Sequence, residues 1–175
     1  MNKNRQKLLD HININKPEKD LTKKDYERIS AHRYLSDKFI IEFQTELNWK
    51  IISRCQKLSA KMIRHFQHKL NWFEISEKQI MSEDFIREFQ DKLNWGSLSY
   101  RTFSNEFLIE FKHRIIWSHY FYSKNVDFLI IKQFMVNAGY KNLDRIKTDH
   151  LSKAEIKTLE NILAIKYMFT KQKTS

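Results

Sequence analysis

Apolar and polar positions recur in the same order four times along the middle of the chain. Each copy reads Leu-Ser-x-x-Phe-Ile-x-x-Phe-Gln-x-x-Leu-Asn-Trp or a close variant, and successive copies start 23, 23 and 22 residues apart. The copies begin at Leu35, Leu58, Met81 and Phe103, and their last aromatic residues are Trp49, Trp72, Trp95 and Trp117. A period of this length indicates tandem structural repeats.

The first part of each copy carries the signals of a helix. In the first copy, Ser36 precedes an apolar run and can accept a hydrogen bond from an unpaired backbone N–H at the helix start. Leu35 and Ile40, on either side of it, have the spacing of a hydrophobic staple. From Phe39 to Leu47 the apolar residues follow helical spacing, which predicts one helix of about a dozen residues with a single buried face.

The second part of each copy is predicted to be a shorter helix. Asn48 tolerates a left-handed helix end and can also cap the helix that follows. Trp49 and Ile52, three residues apart, place two apolar side chains on one side of that helix. A helix pair this small cannot bury its own apolar face, so neighbouring copies must stack. We therefore predict an all-α fold, a short α-solenoid of helix-pair repeats of about 23 residues, with Trp49, Trp72 and Trp95 in its core.

The repeats are predicted to occupy residues 22–123, between two ends of different composition. Residues 1–21 are polar and basic, and form either a frayed arm or a short cap helix. Residues 22–34 are interpreted as a degenerate leading copy, because Tyr26 and Ser30 lie 23 residues before Trp49 and Ser53. Residues 124–170 are predicted to be C-terminal capping helices, and residues 171–175 a mobile tail.

Two helices are predicted after the repeats. The first runs from Val126 to Ala138 and ends at Gly139, a residue type suited to the left-handed position after a helix. Ser152 and Glu155 have the spacing of a capping box, which opens the last helix. These helices either close the end of the stack or pair with a second copy of the chain.

The repeated phrase resembles a short helical repeat found in many proteins of giant DNA viruses and some phages. The resemblance covers about half of the chain, and the third copy, residues 81–95, shows it well. It implies a virus-encoded or mobile-element interaction protein, and no particular reaction. The fourth copy departs from the pattern, with Lys112 in place of Gln and Ile116 in place of Asn. Its second helix is therefore expected to be altered or fused to the first.

Composition agrees with a helical protein. The 175 residues include only two glycines and one proline, which leaves little material for hairpins or long loops. Cys55 is the only cysteine, so no internal disulfide can form. The sequence has no apolar run long enough to cross a membrane and no signal-peptide pattern, so we expect a soluble protein in the cytoplasm of a host cell.

The net charge of +11 is concentrated at the two ends of the chain. Residues 34–123 contain 13 basic and 11 acidic residues, whereas residues 1–33 contain 9 and 5 and residues 124–175 contain 10 and 5. Excess positive charge favours association with polyanions through counterion release. The alternative is that the charge serves solubility, since no segment is a dense Lys/Arg block.

Seven residues are candidates for binding. Lys69, Lys92 and Arg114 share one repeat position and would align as a basic stripe if the copies stack. The other candidates are Trp117, Tyr120, Tyr122 and Lys124, a mixture of aromatic and basic residues that suits base stacking and phosphate contact. The alternative for the aromatic residues is that they pack the last copy against the C-terminal helices.

No combination of residues indicates catalysis, a metal or a cofactor. The repeated serines have capping or packing explanations and no nearby His and Asp partners. His65 and His68 lie three residues apart, with His32 and His113 as further imidazoles, but no ligand falls at a recognisable zinc spacing. The acidic residues near Arg87 are better explained as a solvated, ion-paired helix face.

Two functions remain as hypotheses. In the first, the repeat surface binds a host protein or ribonucleoprotein and blocks or redirects it, as a defence inhibitor such as an anti-CRISPR protein does. In the second, the basic ends and the stripe bind nucleic acid directly, and binding weakens steeply with salt.

Overall fold

The computed structural model describes residues 3–123, 126–136, 143–144 and 146–172. Every regular element within these ranges is a helix, and they contain no strand. The prediction of an all-α fold is confirmed. No helix in the described ranges is both long and apolar enough to cross a lipid bilayer.

The chain divides into two compact units, Met1–Asn94 and Trp95–Ser175. The division falls inside the third copy of the repeat, away from the boundaries expected from composition. Unit 1 contains α1 (Lys3–His11), α2 (Lys23–Ser30), α3 (Asp37–Glu42), α4 (Trp49–Cys55), α5 (Ala60–His65), α6 (Trp72–Lys78) and α7 (Glu83–Glu88). Unit 2 contains α8 (Trp95–Leu98), α9 (Asn105–Glu110), α10 (Trp117–Ser123), α11 (Phe128–Phe134) and α12 (Lys153–Gln172).

The predicted caps are present in every copy. The hydroxyls of Ser36, Ser59, Ser82 and Ser104 each accept a hydrogen bond of 3.2 Å from the backbone N–H three residues later. Asn48 and Asn71 cap the second helix of their copies in the same way, through their side-chain oxygens. Their backbones are extended, so the capping role predicted for asparagine is observed and the left-handed one is not.

The first helix of each copy is shorter than predicted. In the first copy α3 has six residues and stops before Phe43, whose backbone (φ −105°, ψ 20°) departs from the α-helix. A single turn follows, because the carbonyl of Phe43 accepts from both Glu46 N–H and Leu47 N–H at 3.1 Å. The second helix, α4, has seven residues. The prediction of a longer helix followed by a shorter one is therefore wrong for the first, second and fourth copies, whereas in the third copy α7 has six residues and α8 has four, in the predicted order.

The chain breaks before α4 because both groups of one helical hydrogen bond have other partners. A continuous helix would join the N–H of Asn48 to the carbonyl of Gln44. Here the N–H of Asn48 donates to the hydroxyl of Ser30 at 2.9 Å, and the indole N–H of Trp49 donates to the carbonyl of Gln44 at 2.9 Å. Since neither backbone group is left unsatisfied, the break carries no desolvation penalty.

The fourth copy breaks in the same way, although it lacks the asparagine. The N–H of Ile116 donates to the hydroxyl of Ser99 at 2.8 Å, and the indole of Trp117 donates to the carbonyl of Lys112 at 3.0 Å. Helix α10 then starts at Trp117, as α4 starts at Trp49. The expected alteration or fusion of the two helices does not occur, because these two bonds use the backbone of Ile116 and Lys112 rather than their side chains.

Buried serines and glutamines join successive copies in unit 1, where α4 packs against α2 and α6. The hydroxyl of Ser53 donates to the carbonyl of Trp49 and accepts from the N–H of Asn71. The amide of Gln79 donates to the carbonyls of Ser53 and Gln56 at 3.1 and 2.7 Å, and its oxygen accepts from the N–H of Leu58 at 3.1 Å. One glutamine side chain thus satisfies three backbone groups.

Each unit has its own apolar core. In unit 1 the largest fully buried side chains are Leu9, Ile29, Phe39, Ile40, Phe43, Ile52, Ile75 and Ile86. In unit 2 they are Leu98, Phe107, Leu108 and Phe121, and the rings of Trp117 and Phe134 stack at 4.2 Å with an interplanar angle of 8°. Leu9 belongs to α1, so the polar N-terminal segment contributes to the core of unit 1.

The C-terminal helices differ in extent from the prediction. Helix α11 is described from Phe128 to Phe134 and is capped by Asp127, whose carboxylate accepts from the N–H of Leu129 at 2.8 Å. The predicted end at Gly139 lies outside the described residues. The capping box is present, because Glu155 accepts from the N–H of Ser152 at 2.8 Å while the hydroxyl of Ser152 accepts from the N–H of Glu155. Helix α12 continues to residue 172, beyond its predicted end at 170.

We predict that Gln79→Met destabilises the protein by roughly 3 kcal/mol or more, because each buried backbone group left without a partner costs on the order of 1–3 kcal/mol. Methionine keeps the length of the side chain and removes its three hydrogen bonds. The free energy of unfolding measured in urea gives the comparison. Gln133→Met is the control, since Gln133 is exposed, and its effect should stay within about 0.5 kcal/mol. Equal stability of the two variants would contradict a structural role for Gln79.

Candidate interaction surface

The residue three positions before the tryptophan of each copy, here called the cation position, is Lys69 in the second copy and Lys92 in the third. The ammonium nitrogen of Lys69 lies 5.5 Å from the ring centre of Trp49, in the preceding copy, and donates to the side-chain oxygen of Gln44 at 3.0 Å. A cation over an aromatic face is attracted by the negative charge of the ring face. The side chain of Lys69 therefore links the second copy to the first through these two contacts.

The same contact recurs in the other copies. The ammonium group of Lys92 lies 5.5 Å from the ring centre of Trp72 and donates to the side chain of Gln67. In unit 2 the guanidinium of Arg114 lies 5.7 Å from the ring centre of Trp95. All three cations are exposed to solvent. The alignment of all three in one stripe remains a prediction, since Arg114 belongs to the other unit.

The first copy has Glu46 at the cation position, and an arginine from α1 supplies the missing positive charge. The guanidinium of Arg5 lies 4.2 Å from the ring centre of Phe43 and 2.6 Å from a carboxylate oxygen of Glu46. Its Nε is also 2.9 Å from the carboxylate of Glu18. Helix α1 is thus held to the first copy by a charged contact over an aromatic ring, as later copies are held to each other.

This ion pair shifts the pKa of both partners. Burial alone would lower the pKa of Arg5, but the hydrogen bond to Glu46 and the charges of Glu46 and Glu18 raise it. Burial alone would raise the pKa of Glu46, but hydrogen bonds from Arg5 and Thr45 and the charge of Arg5 bring it below its ordinary value of 4.5. Both groups are therefore held in their charged forms.

The aromatic candidates divide into buried and exposed residues. Trp117 and Tyr120 are 6 % and 3 % exposed, so neither ring is available to stack on a base. They pack inside unit 2, as the alternative interpretation predicts. Tyr122 is 69 % exposed and offers a free ring, whereas Lys124 lies outside the described residues.

The three tryptophans predicted to lie in the core are only half-buried. Trp49 and Trp72 each use the indole N–H to satisfy a backbone carbonyl at the break between helices, at 2.9 and 3.0 Å. Trp49 also contacts Phe66 with a ring separation of 4.6 Å, and the ammonium of Lys69 lies 5.5 Å from its ring centre. The prediction that these tryptophans lie in the core is therefore met only in part: each ring packs against a phenylalanine, but none is fully buried, because an indole with a polar partner can remain at the surface.

An apolar groove with a basic rim lies between α3 and α5 in unit 1, and sequence reasoning missed it. Its volume is about 420 Å³, and it is lined by Ile41, Met62, Lys61, Arg64 and His65. Ile41 is 45 % exposed and occupies the position that the next two copies fill with arginine. That exchange of an arginine for an isoleucine at a solvent-facing position was the signal available in the sequence.

One edge of this groove is fixed by an ion pair to the next copy. The guanidinium of Arg64 contacts both carboxylate oxygens of Glu88, at 2.8 and 2.7 Å. Pairs this exposed contribute little to stability, about 0–1 kcal/mol. The pair places the guanidinium of Arg64, which lines the groove with Ile41, against Glu88 of the next copy.

Residues that were considered for catalysis have structural roles or lie apart. The hydroxyl of Ser36 caps α3, and that of Ser53 joins two copies. Across the part of the chain that the structure describes, no three His, Cys, Asp or Glu side chains are placed to hold a metal ion.

Comparison with protein-family models finds no match, and comparison with curated proteins and with solved structures finds no significant match.

We predict that Glu46→Gln destabilises the protein by about 1 kcal/mol at neutral pH, the size expected of a partly exposed charged hydrogen bond. Because the pKa of Glu46 is lowered on folding, its stabilisation is present above the ordinary value of 4.5 and is lost as the pH falls through the folded-state value. The difference in unfolding free energy between wild type and variant should shrink accordingly. In an Arg5→Met background the substitution should have almost no pH-dependent effect, and an unchanged effect there would exclude Arg5 as the partner.

Proposed function

We propose that this is a non-catalytic binding protein, encoded by a virus or phage, whose helical-repeat surface binds a host protein or nucleoprotein and blocks or redirects it. A defence complex such as a CRISPR effector is one target of this kind. The resemblance of the repeat to those of giant DNA viruses and phages supports the viral origin. The main support for the binding role is that the copies share the same interior residues but have different residues at their exposed positions.

The copies share interior residues and differ at the surface. The serine that joins one copy to the next is present at Ser30, Ser53, Ser76 and Ser99, and all four are fully buried. At one position, which is exposed in three copies and half-buried in the third, the four copies have Ile41, Arg64, Arg87 and Ile109. Repeat proteins bind partners through extended surfaces built from the solvent-facing positions of successive copies, so variation at such a position favours a binding role.

Apolar side chains replace charged ones at several exposed positions of unit 1. Phe73 is 54 % exposed where the preceding copy has Lys50, and Ile80 is 90 % exposed where it has Lys57. Single exposed apolar residues are common on monomeric proteins. Phe73 and Ile80 both belong to the second copy, so that copy exposes two large apolar side chains where the first copy has lysines, and this difference favours a surface that meets a partner.

The groove beside Ile41 indicates the chemistry of that partner. An apolar floor with Lys61 and His65 beside it complements a large apolar side chain with a carboxylate nearby, while the charge of Arg64 is already paired with Glu88. We therefore expect the partner to present an acidic, partly apolar segment. Apolar anchors in pockets usually carry most of the binding energy of an interface.

The experiment compares capture of proteins from a host-cell lysate by wild type and two variants. The test variant carries Ile41→Ser and Lys61→Glu. The control carries Ile109→Ser and Lys112→Glu, since Ile109 is the equivalent isoleucine in the fourth copy and 47 % exposed. We expect the test variant to lose its captured partner, with roughly tenfold or weaker binding once that partner is purified. Both variants should keep the wild-type unfolding free energy.

Unchanged capture by the test variant would show that the groove is not the binding surface. Equal loss in the two variants would mean that the groove contributes no more than the equivalent surface of the fourth copy, and would contradict the groove as the specific binding site.

Direct nucleic-acid binding is the second candidate, and the geometry of the cation position favours it. The ammonium groups of Lys69 and Lys92 are exposed and already positioned over tryptophan rings. An ammonium has three donors, and the bonds to the glutamines leave at least one for a phosphate oxygen. Cations that are already positioned lose less conformational entropy on binding.

If nucleic acid is the ligand, changing Lys69, Lys92 and Arg114 to alanine should weaken binding to single-stranded RNA and flatten its salt dependence. Each lost phosphate contact should reduce the slope of log affinity against log salt by roughly 0.7. Fluorescence anisotropy at several salt concentrations measures both quantities. Alanine at Arg28, Lys50 and Arg54, which are also exposed, gives a control of equal charge. The same loss in both variants would indicate a diffuse charge effect instead of a site.

A further inference from the structure

A pocket of about 380 Å³ lies between α1 and the start of α3 in unit 1. Its apolar side is formed by Leu8, Ile12 and Phe39, of which Ile12 is 8 % exposed and Phe39 1 %. The volume is within the range of small-molecule sites, roughly 300–1,000 Å³. It is separate from the groove beside Ile41, with which it shares no lining residue.

The rim of this pocket is basic. It carries Lys7 and His11 from α1 and Lys38 from α3. No carboxylate is among the lining residues, and in the described part of the chain neither lysine has an ion pair or hydrogen bond. Unpaired ammonium groups beside an apolar wall produce a concentrated positive potential. The pocket is therefore suited to a ligand with a compact negative charge.

Two further side chains give the site a hydroxyl donor and a flat wall. The hydroxyl of Ser36 accepts from the N–H of Phe39 at 3.2 Å, which leaves its own proton to donate. The ring of Tyr34 is 69 % exposed, although the backbone around it is held by His32, whose ring nitrogen is 3.1 Å from the carbonyl of Tyr34. An exposed ring on a fixed backbone is a good platform for a planar ligand.

We propose that this pocket binds a nucleoside monophosphate unit, a phosphomonoester attached to a planar base. Lys7 and Lys38 contact the phosphate, Ser36 donates to it, and the base stacks on Tyr34. The unit has two sources, a free nucleotide or the 5′-phosphorylated end of a single strand. This inference does not depend on the partner proposed above, since the two sites share no residue.

The test is calorimetric titration of the full chain with adenosine monophosphate, adenosine and inorganic phosphate. We expect saturable binding of the monophosphate at one site, tighter than that of either fragment. Titration with 5′-phosphorylated and 5′-hydroxyl oligoadenylate then distinguishes the sources. Tighter binding of the phosphorylated strand than of the free nucleotide identifies a strand end, and the reverse order identifies a free nucleotide.

Two matched variants make the result specific. Lys7→Ala with Lys38→Ala should weaken binding of the phosphorylated ligand by roughly a hundredfold or more, since each substitution removes a charged hydrogen bond to the phosphate that contributes about tenfold or more in affinity. Lys23→Ala with Lys24→Ala removes the same charge from exposed residues outside the pocket and should leave affinity within about twofold of wild type. Equal loss in both pairs, or adenosine binding as tightly as its monophosphate, would overturn the proposal.

Discussion

The two-helix structure of each copy depends on which acceptor one backbone N–H binds. In the first copy a continuous helix would pair the N–H of Asn48 with the carbonyl of Gln44, but the buried hydroxyl of Ser30 takes that N–H. The indole of Trp49 takes the carbonyl. The exchange ends one helix, starts the next and bonds the copy to its predecessor. All three results follow from a serine 18 residues earlier in the sequence.

This arrangement explains why some positions are shared by the copies and others vary. The serine and tryptophan are needed for the break, and Lys69 and Lys92 hold the tryptophan of the preceding copy. The regular spacing of these lysines therefore has a structural cause, whether or not they also meet a phosphate. Residues outside these contacts, such as Ile41 in the first copy, are free to differ. We expect residues that contact a binding partner to lie at such positions.

Periodicity predicted the copies, their serine caps and the all-α fold, because each of these depends on residues close in sequence. It did not predict the end of α3 at Glu42, since the apolar pattern continues through Leu47 as it would in one helix. The partner that decides the break lies in the preceding copy. For the same reason the replacement of asparagine by Ile116 changes little. The break there uses the backbone N–H, which every residue except proline has.

The candidate sites show which structural features could not be predicted from the sequence, namely the burial of a side chain and the residues that line a pocket together. The local sequence around a tryptophan flanked by basic residues does not show whether its ring is buried or exposed. Trp117 is buried because Phe134, 17 residues later in the sequence, stacks on it. Lys7 and Lys38 line one pocket although the first belongs to a segment that composition describes only as a polar arm. The groove beside Ile41 is different, because comparison of the copies already shows an isoleucine where the next two have arginine. In a repeat chain, a departure from the shared pattern at an exposed position is thus informative about binding.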